Sequence, residues 1–177
     1  WQTGVEPVHE NQIVVELSGA YHGGAGNDVF SVADVKYFDG AGAGVHGGAG
    51  TDTLKLTGAG QTLDISKLLN VGGHDKITSI EIIDITGTGN NTLKLSMRDV
   101  LELGHENVFR NDGHTQLMVN GNAGDRVELS GMPGLTSGGG WANKGLIALN
   151  GQAYTLYENA ALHVELLVQS AVSTQLT

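Results

Sequence analysis

The chain has 177 residues, among them 28 glycines, two prolines and no cysteine, a length that fits one domain with a real core and a composition that excludes disulfides and thiolate metal sites. The glycines lack the every-third spacing of collagen, and 40 % hydrophobic residues is more apolar surface than a disordered segment carries. Nineteen acidic against nine basic residues, a formal charge of −10, oppose binding to nucleic acid or to an anionic membrane surface.

From the N-terminus, the first residue is Trp1 rather than Met, and the basic, apolar, small-residue succession of a signal peptide is missing. The chain therefore reads as a piece of a longer one. His9-Glu10-Asn11-Gln12-Ile13 starts like a zinc-protease helix but has no second histidine four residues on, so one helix face could not present two ligands. The same holds for His105-Glu106-Asn107-Val108-Phe109.

The informative segment begins at residue 22. Residues 22–28 read His-Gly-Gly-Ala-Gly-Asn-Asp and residues 46–52 read His-Gly-Gly-Ala-Gly-Thr-Asp. Each passes directly into an alternating apolar strand, Val29-Phe30-Ser31-Val32 or Thr53-Leu54-Lys55-Leu56. Further short strands are expected around Leu63, Ile65 and Leu68 and around Ile80, Ile82, Ile83 and Ile85. Two weaker copies of the turn follow. In Thr86 to Leu95 an amide, Asn91, stands where Asp52 does. In Gly121 to Leu129 the acid is kept as Asp125. Between them Ser96 to Leu103 reads as a helix with Ser96 as N-cap, Asp99 three residues on and Gly104 as stop. Short strands joined by glycine turns, each coil burying its aliphatic row on the next, predict an all-β fold: a parallel β-roll or β-solenoid with one short helix.

Past Met132-Pro133-Gly134 the character changes, which divides the chain into a solenoid over residues 1–132 and a C-terminal cap over residues 133–177. A polar Gly/Ser loop leads to a predicted β-hairpin with Asn150-Gly151 at its turn, then a strand over Leu162, Val164, Leu166 and Val168, then a small uncharged tail, Ser170 to Thr177. Trp141, Tyr154 and Tyr157 either line a groove or pack the hairpin.

Gly-Gly-x-Gly-x-Asp-x-apolar-x is met at residues 23–31 and 47–55. Glycines permit the positive φ values that turn successive carbonyls to one side, and calcium takes six to eight oxygen ligands. Gly23, Ala25, Asn27 and Asp28 from one turn and Gly47, Ala49, Thr51 and Asp52 from the next are therefore the candidate calcium ligands. The alternative is a pair of ordinary tight turns, which favour the same residues. The Asn91 turn is expected to bind calcium weakly or not at all. His22 and His46 could suit a transition metal, or face solvent while only their carbonyls approach an ion.

The segments His22 to Ser31 and His46 to Lys55 resemble the RTX nonapeptide repeats of bacterial proteins exported by type I secretion, and the chain from Ile82 through Asp125 to the Asn150-Gly151 hairpin resembles the C-terminal end of large RTX adhesins of Gram-negative bacteria. The resemblance implies a calcium-dependent β-roll and, in residues 133–177, an uncleaved signal read by the type I transporter. It also implies an extracellular, cell-surface protein, with calcium as cofactor and a host or surface ligand contacted through the parent protein. The chain departs from the family in having only two complete repeats, 24 residues apart instead of back to back. A non-catalytic adhesin module is the expected function. The tail of a secreted enzyme or toxin, and a calcium-dependent ligand-binding module, are the alternatives.

Overall fold

Four-residue strands such as Val29–Val32 cannot shelter their aliphatic side chains alone; they do so by stacking on neighbours, and the structure shows how. It is a computed structural model that describes residues 12–16, 19–131 and 140–177. In chain order the strands are β1 (Gln12–Val15), β2 (Ala20–Ala25), β3 (Val29–Val32), β4 (Gly44–Ala49), β5 (Thr53–Leu56), β6 (Thr62–Asp64), β7 (Ile77–Thr78), β8 (Ile82–Asp84) and β9 (Thr92–Ser96). After helix α1 (Met97–Leu103) come β10 (His105–Glu106), β11 (Thr115–Asn120), β12 (Arg126–Ser130), β13 (Ala142–Leu149), β14 (Gln152–Asn159), β15 (Val164–Gln169) and β16 (Ser173–Leu176). The fold is all-β with parallel sheets, as expected. Among the described residues no helix is long and apolar enough to cross a membrane.

The chain winds through three sheets in turn. The first holds β2, β4 and β7; the second runs β1-β3-β5-β8-β11-β15-β14-β13, with β10 against β11; the third runs β16-β12-β9-β6. Successive passes pair in parallel and in register, so like residues stack. Phe30 lies beside Leu54, Leu54 beside Ile83, Ile83 beside Val119 and Val119 beside Val168, a fully buried column. In the third sheet Leu63, Leu93 and Val127 stack in the same way. These columns are the core, and in strands such as β3, β5, β9 and β12 alternation puts every second side chain into it.

Between β9 and β11 helix α1 replaces a strand. Its capping box is the expected one, Ser96 Oγ accepting from Asp99 N–H and the Asp99 carboxylate accepting from Ser96 N–H. Met97, Val100 and Leu103 point into the core. A 3₁₀ turn over Ile65–Lys67, capped by Asp64, accounts for the apolar spacing after β6.

The expected hairpin is present: β13 and β14 pair antiparallel around Asn150 and Gly151, both at positive φ (51° and 80°), as a type I′ turn requires. It is an excursion rather than an end. β15 returns to pair in parallel with β11, and β16 pairs in parallel with β12, so residues 164–176 build a further coil inside the segment read as a cap. The tail Ser170 to Thr177 accordingly contains a strand, Ser173–Leu176, with Val172 buried just before it. Trp141, Tyr154 and Tyr157 are packing residues, each over nine-tenths buried. Trp141 Nε1–H donates to the Ser130 carbonyl at 2.8 Å and Tyr154 O–H to Asn120 Oδ1 at 2.9 Å. The His9-Glu10 motif and most of the Gly/Ser loop lie outside the described residues.

Candidate metal centre

The glycine turns are where the coils approach most closely. Gly24, Gly26, Gly48 and Gly50 have φ of 94°, 108°, 93° and 116°, the left-handed region that favours glycine. A second requirement is steric: a Cβ at Gly48 would strike the Gly24 carbonyl, and one at Gly50 the Gly26 carbonyl. In the second turn the bare Cα atoms of Gly48 and Gly50 thus lie directly on the backbone of the coil before it.

Asp28 and Asp52 are fully buried, and each carboxylate turns back beneath its own turn, against Gly23 and Gly47 respectively. The two coils are tied through them. Asp28 N–H donates to Asp52 Oδ1 at 2.8 Å, and Asp52 N–H donates to Glu81 Oε2 at 2.9 Å. The result is a column of three buried acids, Asp28, Asp52 and Glu81, at the corner between the first and second sheets. The other sequence-predicted ligands lie on the outer side of the turns. The Ala49 carbonyl accepts from Gly26 N–H at 3.0 Å and Asn27 Oδ1 accepts from Thr51 N–H at 2.9 Å, while Ala25 is exposed. Gly23 and Gly47 lie against the acids, the Gly47 carbonyl 2.7 Å from where a Cβ of Gly23 would be.

The two weaker repeats are at a different corner, between the second and third sheets. There Asn91 N–H donates to Asp125 Oδ1 at 2.9 Å and Gln61 N–H donates to Asn91 Oδ1 at 2.8 Å. The four turns that align as one series in the sequence are thus two columns. Their electrostatics differ. Asn91 Nδ2 donates to the carbonyls of Ile85 (2.9 Å) and Gly58 (3.1 Å), and Asp125 Oδ2 accepts from Asn122 N–H at 2.8 Å, so both side chains are satisfied. At the first corner Asp52 Oδ2 is buried and no donor among the described residues reaches it. Burial raises the Asp52 pKa; the Asp28 N–H pulls it back and the Asp28 charge raises it again. Burial likewise raises Glu81, opposed by the Asp52 N–H and assisted by the Asp52 charge.

These donors suit a hard cation: oxygen ligands only, a buried carboxylate oxygen lacking a donor, and carbonyls brought close by bare glycines. Glu81 escaped the motif search. Its signal is spacing, since an acid or amide stands two residues before a core side chain in Asp28/Phe30, Asp52/Leu54, Glu81/Ile83, Asn91/Leu93 and Asp125/Val127.

His22 and His46 stack face to face on the outside of the first sheet, with ring centroids 4.8 Å apart and planes at 21°. His46 Nδ1 is 2.7 Å from Thr78 Oγ1, and burial, then His22, lowers the His46 pKa. Parallel stacked rings do not converge on one ion.

A second titratable cluster was not foreseen. Asp112, His114 and Glu165 bring ligand atoms within 4.8 Å of one another and could hold a metal ion. Their charges are already largely paired. Arg110 Nη1 lies 2.6 Å from Glu165 Oε2, and Gln116 Nε2 donates to Asp112 Oδ1 (2.9 Å) and Glu165 Oε1 (3.1 Å). His114 Nε2 is 3.1 Å from Glu158 Oε1, off a hydrogen-bond line. Compared with protein-family models, with curated proteins and with solved structures, the chain has no match in any of the three.

Proposed function

We propose that this chain is a non-catalytic calcium-binding module of a secreted RTX-type adhesin, one that completes its folding when calcium enters the corner between the first two sheets. The observation that carries the reading is Asp52 Oδ2, fully buried without a donor, beside a second corner of the same molecule where Asn91 and Asp125 are fully satisfied. A buried carboxylate is tolerated when it is paired or coordinates a metal. Asp28, Asp52 and the carbonyls under the glycine turns would hold the ion, which supplies the positive charge that Asp52 Oδ2 lacks.

Folding and binding are then one equilibrium. Without calcium the acids repel and the turns stay open; with it the coils close, and each hundredfold excess over Kd adds about 2.7 kcal/mol. A chain that stays open at low calcium suits export through a type I transporter, with residues 133–177 as the segment read, and closes outside the cell. The acidic balance of the sequence accords with this. The test is thermal unfolding followed by circular dichroism in millimolar calcium and in chelator. Calcium should raise the transition by many degrees; superimposable curves would overturn the proposal.

A further inference from the structure

The corner at Ser79–Glu81 carries no glycine motif, yet it repeats the geometry of the turn before it. Asp52 N–H donates to Glu81 Oε2 at 2.9 Å as Asp28 N–H donates to Asp52 Oδ1 at 2.8 Å. A Cβ at Gly47 would collide with the Ser79 carbonyl oxygen and with Asp52 Oδ2, much as one at Gly23 would meet the Gly47 carbonyl oxygen and Asp28 Oδ2. Ser79 achieves this at φ 53°, a left-handed conformation that a non-glycine residue adopts at a cost. Two oxygens, one a carbonyl and one a carboxylate, therefore face the bare Cα of Gly47 from the same side, and no hydrogen-bond donor reaches the carboxylate oxygen among the described residues. Oxygen facing oxygen in a buried site is repulsive unless a positive charge lies between them.

We propose that Ser79–Glu81 and Gly47–Asp52 form a second divalent-cation site, with the Ser79 carbonyl and the carboxylates of Asp52 and Glu81 as its protein ligands. It deepens the calcium reading above and rests on it. Glu81 is 4 % exposed, more burial than a glutamate normally accepts without a cation beside it, and its carboxylate meets the backbone N–H of Asp52. A groove bounded by Gly48, Thr51, Ser79, Glu81, His105 and Glu106 runs beside Glu81. The oxygen-only donor set selects calcium over zinc.

Isothermal titration with calcium chloride compares the wild type with Glu81→Gln and Asp28→Asn. The wild type should bind two ions. Glu81→Gln, which keeps an acceptor for Asp52 N–H, should lose one or weaken it at least about tenfold, and Asp28→Asn should retain the Glu81-dependent ion. A wild type that binds calcium while Glu81→Gln binds the same number equally well overturns this site and leaves the first standing; a wild type that binds none overturns both. Should Glu81→Gln fail to fold, the amide resonances of Ser79, Ile80 and Glu81 in the wild type decide. They should shift saturably with the second equivalent of calcium, and their staying fixed while other turns respond overturns the site.

Discussion

Asn91 and Asp52 occupy equivalent places at two corners and differ by one group, an amide nitrogen for a carboxylate oxygen. Asn91 Nδ2 reaches the Gly58 carbonyl of the adjacent coil at 3.1 Å; Asp52 Oδ2 faces the Ser79 carbonyl of its adjacent coil with nothing to donate. The molecule therefore contains its own control. An unsatisfied buried polar group costs about 1–3 kcal/mol, more when charged. Asp52→Asn should raise the stability measured in chelator by about 1 kcal/mol and shrink the gain from calcium, because the new amide has a carbonyl to meet. Asn91→Asp should do the reverse and lower stability in chelator by about 3 kcal/mol, since it removes donors from the carbonyls of Ile85 and Gly58 and sets a carboxylate oxygen against them. Urea unfolding of the wild type and of both variants, each in calcium and in chelator, checks both, and equal effects of calcium on wild type and Asp52→Asn would contradict the assignment.

The loop between β10 and β11 behaves as a strap across the outer face of the second sheet. Gln116 and Glu165 face one another across β11 and β15 and alternate with the core residues Leu117 and Leu166, so they point away from the core; Phe109 packs beside Met118, Tyr154, Leu156 and Leu167 on that same face. Phe109 N–H and Arg110 N–H both donate to Gln116 Oε1, at 2.7 and 2.9 Å. The charged groups facing this knot are Arg110, Asp112 and His114 from the strap, Glu158 from β14 and Glu165 from β15, with His163 against His114. Burial, then the neighbouring Asp112, pushes the Glu165 pKa up to about 7. Burial pulls His114 down, but its bond to the Asp112 backbone and the carboxylates of Asp112, Glu165 and Glu158 outweigh this and raise it. A raised carboxylate stabilises the fold below its unfolded value and loses that contribution as pH rises through the folded one, and a raised histidine does the same. Both therefore loosen the strap as pH climbs from about 6 to 8. Exchange of the Phe109 and Arg110 amides should accelerate over that range beyond the intrinsic base-catalysed rate, and Glu165→Gln should flatten the response; protection independent of pH in the wild type would refute it. This knot was invisible in the sequence, because its members lie up to 55 residues apart and meet only through strand register. Local signals fared better. The capping box at Ser96, the Asn150-Gly151 turn and the alternation of the strands depend on neighbours a few residues away, and all were legible. What local signals could not tell was which corner a turn belongs to. The 39-residue interval between Asp52 and Asn91 holds strands of all three sheets, so the alignment placed in one series turns that long-range pairing separates into two.

At the scale of the whole molecule, the two columns divide the coils unequally. The acid column ties the coils of β2–β3, β4–β5 and β7–β8, while the satisfied column of Gln61, Asn91 and Asp125 ties those of β5–β6, β8–β9 and β11–β12. The C-terminal coils also carry helix α1 and the hairpin, which adds a second apolar cluster. In a stack where each coil contacts mainly its neighbours, stability is close to a sum of coil and interface terms, so removing one kind of interface term melts one end before the other. Chelation should therefore open residues 19–56 while residues 115–131 and 140–177 stay folded. Hydrogen exchange in chelator should show fast amides in β2 to β5 and protected ones in β11, β12, β15 and β16, and calcium should restore protection to the first group alone. The contrast is sharpest at two comparable amides, Asp28 N–H and Asn91 N–H. Each is buried and donates to a carboxylate of the next coil at 2.8 and 2.9 Å, so burial and hydrogen bonding predict the same protection for both. Only the state of the accepting acid differs, Asp125 having donors on both oxygens and Asp52 on one. If the corner needs a cation, the Asp28 amide exchanges through local opening in chelator and the Asn91 amide does not. If both stay protected, the acid column stands without an ion, and the glycine turns are close-packed corners and nothing more.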